Sequence, residues 1–205
     1  MRIAVLSLVA ACGSVTTYQS ADTLPPGRWQ GMAALALGSY DDVEMHQKTP
    51  TIVAEIGARR GVADNTDVGL KLYTLGIEAS VRQRLTTGTW SWALLGALGG
   101  LRTGPGNTAI PEALLFQLRL GAVATRRTSG SFAWNMGPLV TGSLWIPAGG
   151  GSAAGAMLGA FGGFDWRFGA RWHLIPELTL HRSVAGDVPV DGTVGELGAA
   201  FARDW

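Results

Sequence analysis

From residue 28 onward, apolar and polar residues alternate with a period of two, in runs broken by glycine, proline, asparagine or aspartate. Over residues 77–86, Ile77, Ala79, Val81 and Leu85 share one face, while Glu78, Ser80, Arg82 and Arg84 share the other. Over 113–125, Leu114, Phe116, Leu118 and Leu120 oppose Gln117, Arg119 and Thr125. Over 171–181, Trp172, Leu174, Leu178 and Leu180 oppose Arg171, His173, Glu177, Thr179 and His181. Ile52, Ala54, Ile56 and Ala58 likewise oppose Glu55, Gly57 and Arg59. A period of two sorts each set onto one side of a sheet. The pattern predicts ten strands, over residues 28–40, 51–62, 66–75, 77–86, 90–102, 113–125, 131–146, 154–168, 171–181 and 193–204. Several exceed the ~5–6 residues of an ordinary soluble strand and approach the ~9–11 that cross a bilayer at a tilt.

The connections alternate as well. Brief turns join strands 2–3, 4–5, 6–7 and 8–9: Ala63-Asp64-Asn65, Thr87-Gly88-Thr89, Thr128-Ser129-Gly130 and Gly169-Ala170. Longer links run over 41–50, 103–112 and 183–192, with an intermediate one over 147–152; the short link at Gly76 departs from the pattern. Short turns on one side, longer loops on the other and an even strand count fit a closed antiparallel transmembrane β-barrel, occupying 28–205, with both termini periplasmic. The stretch 136–164 carries no charge and is long enough for a membrane helix, but Pro138, Pro147 and the run Gly149-Gly150-Gly151 favour two strands and a loop.

Alternation cannot by itself say which face looks outward, because a soluble barrel has the same period inverted. Tryptophan placement bears on this. Trp29, Trp90, Trp92, Trp134, Trp166, Trp172 and Trp205 all fall at the short-turn ends of strands, as an aromatic girdle at a headgroup boundary would. Charge points the same way. Glu55, Arg59, Lys71, Glu78, Arg82, Arg84, Arg119, Asp165, Arg167, Arg171 and Glu177 share the polar parity, expected to be a charge network inside the lumen. The exceptions Arg60, Arg126 and Arg203 lie at strand ends near that rim, where an outward arginine costs only ~0–1 kcal/mol.

Composition agrees with a chain that meets lipid. Only 15% of residues are charged and 30 are glycine. Sixteen bases against fifteen acids point to no nucleic-acid partner. Residues 1–11, with Arg2 ahead of a short apolar run, read as a secretory signal. Val9-Ala10-Ala11-Cys12 resembles the lipobox of bacterial lipoproteins. That resemblance implies lipidation at Cys12, and Gly13 after it implies outer-membrane sorting. Residues 12–27 are then expected to be an extended acylated tether. The C-terminus, Glu196-Leu197-Gly198-Ala199-Ala200-Phe201-Ala202-Arg203-Asp204-Trp205, resembles the signal recognised by barrel-assembly machinery, with Arg203 at a usually hydrophobic position. Together these features resemble small Gram-negative outer-membrane β-barrel proteins. The resemblance implies an outer-membrane location, with membrane lipids, lipopolysaccharide and the assembly machinery as partners.

Three functional readings follow. Ten strands enclose a lumen only slightly wider than the eight-stranded type, and buried charges must be paired or hydrated. The first expectation is therefore a side-chain-filled lumen with a structural or envelope role. A narrow pore with weak anion preference comes second, because bases outnumber acids on the inward face. A lipid- or peptide-hydrolysing enzyme comes third, resting on His46 near Asp41, Asp42 and Glu44 and on His181 near Ser183. Such a loop is more ordinarily a solvated one, and one histidine with three carboxylates is a poor metal set. No catalytic residue, metal site or cofactor is assigned, and no phosphate-binding loop or zinc spacing occurs. Adhesion through the longer loops is a further possibility, limited by their modest size.

Overall fold

The computed structural model describes residues 15–42, 47–103, 112–186 and 190–205. The strands are β1 (Trp29–Asp42), β2 (Gln47–Ala63), β3 (Thr66–Tyr73), β4 (Gly76–Thr86), β5 (Trp90–Thr103), β6 (Ala113–Arg127), β7 (Phe132–Pro147), β8 (Ala153–Phe168), β9 (Trp172–Gly186) and β10 (Val190–Asp204). Each pairs antiparallel with its neighbours in sequence, and β1 pairs with β10 to close the barrel. Ala34 stands opposite Ala200 and Ala36 opposite Gly198 across that seam. Closure leaves no unpaired edge, the condition for strands that face hydrocarbon.

The uncharged stretch 136–164 is divided between β7 and β8, as its prolines and glycines predict. Gly150 and Gly151 take φ of +93° and +79° in the intervening turn, a region glycine enters without strain. Three boundaries differ from the pattern-based expectation by at least three residues. β2 begins at Gln47, β9 continues to Gly186 and β10 begins at Val190. Alternation marks where one face is apolar, whereas the hydrogen-bonded ladder needs only backbone, so these hairpins stay paired beyond the apolar band.

The barrel is turned inside out relative to a soluble one. Leu98 and Leu197 on the outward face are each 61% exposed, while Glu196 on the inward face is 1% exposed. Apolar residues also point inward in two places. Leu95, Val123, Leu139 and Phe161 pack together on the β5–β8 wall, and Val53, Tyr73, Leu101 and Leu115 pack with Trp145 nearer the loops.

Pro138 sits within β7 and has no N–H to give the ladder. Registered pairs to β6 stop at Gly121–Leu139 and resume at Ala124–Met136. Gly137 occupies this gap, where an added Cβ would lie 1.8 Å from the Ala122 carbonyl oxygen. Gly137→Ala should therefore destabilise the barrel by about 2–3 kcal/mol. The measurement is the temperature at which the folded band disappears on unboiled gels. An unchanged temperature would mean that β6 and β7 can separate there at little cost.

Candidate functional site in the plugged lumen

Residues 15–24 run through the inside of the barrel. Val15, Thr16, Thr17, Tyr18, Gln19, Ala21, Thr23 and Leu24 are all buried. The segment then leaves at the short-turn end, where Pro26 bridges Gly61 and the Gly27 N–H donates to the Gly61 carbonyl at 2.9 Å, and it reverses into β1. Gly61 is needed there, since a Cβ would stand 2.0 Å from the Pro25 carbonyl oxygen. The tether expected over residues 12–27 differs from the described path, in which residues 15–24 lie inside the lumen and 25–27 run out at the short-turn end. Polarity explains the difference: a threonine-rich strip with unpaired peptide groups complements a charged interior.

The segment belongs to no sheet, so each of its peptide groups needs a partner on the wall. Carboxylates take the N–H groups. Val15 donates to Glu196 Oε2 at 3.1 Å, Thr17 to Glu177 Oε1 at 2.5 Å and Tyr18 to Glu177 Oε2 at 2.7 Å. Leu24 donates to Asp67 Oδ2 at 3.1 Å. The threonine hydroxyls join them, Thr16 donating to Glu55 at 2.7 Å and Thr17 to Glu177 at 2.8 Å. Bases take the carbonyls. Lys71 Nζ donates to the Thr16 carbonyl at 3.0 Å and Arg119 to the same oxygen at 3.4 Å, while Arg82 donates to that of Ser20.

The wall charges also neutralise one another. Lys71 lies 3.3 Å from Glu55 and 3.4 Å from Glu78, and Arg119 lies 3.4 Å from Glu78. Asp67 is shared by Arg82 and, at 3.7 Å, by Arg59. Nearer the short turns, Asp22 of the segment pairs with Arg127 and lies 3.7 Å from Arg167. His173 is held between Asp165 at 2.8 Å and Asp204 at 3.2 Å, so both ring nitrogens are engaged and neither is available as a base. A cavity of about 290 Å³ remains beneath the segment at this end, lined by Arg59, Arg127, Asp165 and Arg167 among others.

Tyr18 is the pivot of the segment. Its φ of +48° lies in the left-handed region, a conformation that costs a non-glycine residue of order 1–2 kcal/mol. The surroundings hold it there: the side chain is 2% exposed, its N–H is bonded to Glu177, and its hydroxyl occupies the space where Gly198 lacks a side chain. Burial first, and the charges of Glu55, Glu177 and Glu196 after it, push the phenol above its ordinary range and keep it neutral.

Of the expected network, Glu55, Arg59, Lys71, Glu78, Arg82, Arg119, Asp165, Arg167 and Glu177 line the lumen. Arg84 and Arg171 stand apart from it. Arg84 lies at the rim, where its guanidinium donates to Asn65 Oδ1 at 2.7 Å, and Arg171 is exposed in the turn before β9. Both sit at strand ends, where a side chain on the inward parity reaches past the rim instead of across the bore. Asp67, Arg127, Glu196 and Asp204 also face inward. For Asp67 and Glu196 the alternation was already legible, since each is offset by an odd step from outward Val68 and Leu197. No periodicity could have found the contribution of residues 15–24. Cys12 and His46 lie outside the described residues. His181 is buried against Gly159. Among the described residues, no group of His, Cys, Asp and Glu is arranged to hold a metal. The seven girdle tryptophans, Trp29 to Trp205, all point outward at the short-turn rim. Around β7–β10 they join phenylalanines, with Trp134 and Phe164 at 5.8 Å and Trp172 and Phe201 at 4.8 Å.

No family model matches the chain, and no curated protein matches it in sequence. Solved structures do match in fold. The translocator domain of the autotransporter NalP from Neisseria meningitidis superposes with a TM-score of 0.53 at 12% identity, over 90% of each chain. An outer membrane channel from Pseudomonas putida F1 gives 0.50 at 10% identity, over 90% of this chain and 98% of the other. The neisserial surface protein A gives 0.48 at 12% identity, over 86% and 98%. The fold is that of an outer-membrane β-barrel.

Glu177 accepts more hydrogen bonds from the segment than any other wall residue described. Its replacement by alanine should raise amide hydrogen exchange across residues 15–24 by at least about 10–100-fold, the effect of losing a single charge-assisted bond of ~1.5–3 kcal/mol. Gly198→Ala should do the same more weakly, because its Cβ would fall 2.1 Å from the Tyr18 hydroxyl. Exchange measured by mass spectrometry that matches wild type in both variants would show that other contacts hold the segment.

Proposed function

We propose that this chain is an integral protein of a Gram-negative outer membrane whose barrel is closed by its own N-terminal segment, serving a structural or envelope role. The observation that carries the reading is the set of bonds from Glu55, Glu177, Glu196 and Asp67 to residues 15–24, which fills the bore with main chain. The outward leucines, the tryptophan rim and the C-terminal segment support the membrane assignment. So does the fold shared with a protein described as an outer membrane channel. On this reading the short-turn end faces the periplasm and the longer loops face outward. Partners are membrane lipids, lipopolysaccharide and the assembly machinery. Material that stays monodisperse in buffer without detergent would overturn the assignment.

A pore is the second reading, favoured by how the segment is held. Nothing covalent fixes residues 15–24 to the wall, so their withdrawal leaves a polar bore. The basis for anion preference is gone, however. Arg84 and Arg171 are not in the bore, and Asp67, Glu196 and Asp204 are, so bases no longer outnumber acids. In planar bilayers the wild type should show no steady conductance, and deletion of residues 15–24 should give channels that prefer cations. Steady wild-type channels equal to those of the deletion would refute closure.

Acylation at Cys12, implied by the lipobox resemblance, belongs to this proposal. Labelled palmitate should be incorporated into the wild-type protein, and Cys12→Ser should abolish the label. Wild type that takes up no label would refute acylation.

A further inference from the structure

We propose that the short-turn rim carries three sites for the phosphodiester of phospholipid headgroups, each formed by an outward arginine laid on a tryptophan of the adjacent strand. The proposal rests on the reading of the barrel as a membrane protein.

One arrangement recurs three times. Arg60 stands directly across the ladder from Trp29, Arg126 across from Trp90, and Arg203 across from Trp172. The guanidinium carbons lie 5.3, 5.8 and 5.1 Å from the respective ring centroids. Arg203 also lies 5.7 Å from the ring of Trp205. Two of the pairs flank the β1–β10 seam, and the third is on the opposite wall.

All three arginines are on the parity that presents leucine, tryptophan and phenylalanine to the outside, as are Arg102 and Arg182 at the longer-loop ends of β5 and β9. Among the described residues none of the three forms an ion pair, whereas the inward Arg59, Arg82, Arg127 and Arg167 all do. A low cost at the interface explains why such arginines are tolerated. It does not explain why each is registered against an indole.

The pairing has a chemical use. A guanidinium stacked on a ring keeps its orientation and leaves its in-plane N–H fork available. That fork matches two oxygens of one phosphate. Indole itself settles at the headgroup boundary, so the fork is held at the depth of the phosphates. The rim is also the one where both the described C-terminus and the start of β1 lie, the side assigned above to the periplasm. Its leaflet supplies glycerophospholipid.

The test follows tryptophan fluorescence of folded protein in detergent micelles during titration with headgroup-spin-labelled phosphatidylglycerol. Most of the protein's tryptophans stand at this rim, so quenching reports it directly. Wild type should reach half-quenching at about tenfold less lipid, or lower still, than R60Q/R126Q/R203Q. The variant R60K/R126K/R203K keeps the charge and loses the fork, and should move most of the way to the glutamine variant. Heat-dependent gel mobility establishes that each barrel is folded. If a triple variant fails to fold, R126Q alone should carry about a third of the shift on a logarithmic scale. Equal half-quenching of wild type and glutamine variant, or of wild type and lysine variant, would overturn the sites. Equal binding of monophosphoryl lipid A would overturn the assignment to glycerophospholipid. A folded, detergent-requiring protein without this selectivity defeats only the sites, whereas a protein needing no detergent defeats the membrane reading too.

Discussion

Residues 15–24 cross the interior of the barrel with no strand beside them, and everything else in the lumen answers to that. A peptide N–H or carbonyl buried without a partner costs several kcal/mol where water is excluded. Glu196, Glu177 and Asp67 accept the donors, and Lys71, Arg119 and Arg82 serve the acceptors. The charges on the wall thus have two obligations, to one another and to the segment. An isolated buried charge would be a liability, but a carboxylate that accepts backbone N–H groups while facing a lysine or arginine is compensated on both sides. The seating of residues 15–24 in the lumen is a consequence of that double pairing.

The same constraint orders the wall. Around the middle of the bore stand Glu55, Glu78, Glu177 and Glu196 with Lys71 and Arg119; nearer the short turns stand Arg59, Arg82, Arg127 and Arg167 with Asp67, Asp165 and Asp204. The upper group meets N–H groups of residues 15–18, and the lower one meets Asp22 of the segment. The unusual φ of Tyr18 falls between them, where the segment bends to serve both groups. Gly198 then reads as part of the segment's seat rather than only as part of a C-terminal signal.

Outside, on the membrane reading, the organising constraint is the boundary between hydrocarbon and headgroups. Leucines cover the wall, tryptophans collect at one rim, and the outward arginines of that rim, Arg60, Arg126 and Arg203, are laid on those tryptophans. Toward the short-turn end, Arg59, Arg82, Arg127 and Arg167 on the inward face pair with carboxylates, while Arg60, Arg126 and Arg203 on the outward face lie on indoles.

Strand order, parity and the closed antiparallel fold were legible in the sequence, because a period of two records which residues share a face, and turn residues record where the chain reverses. Leu118 and Arg119 declare their opposite sides without any knowledge of their neighbours. The charged positions of the bore, Glu196 and Asp67 included, were legible for the same reason. The route of residues 15–24 was not. An unpaired segment has no periodicity, and its bonds to Glu177 and Glu196 span most of the chain, so only the closed barrel brings them within reach. Tertiary structure alone also decided that Arg84 and Arg171 stand at or beyond the rim, since parity gives a side chain its direction but not its height in the bore.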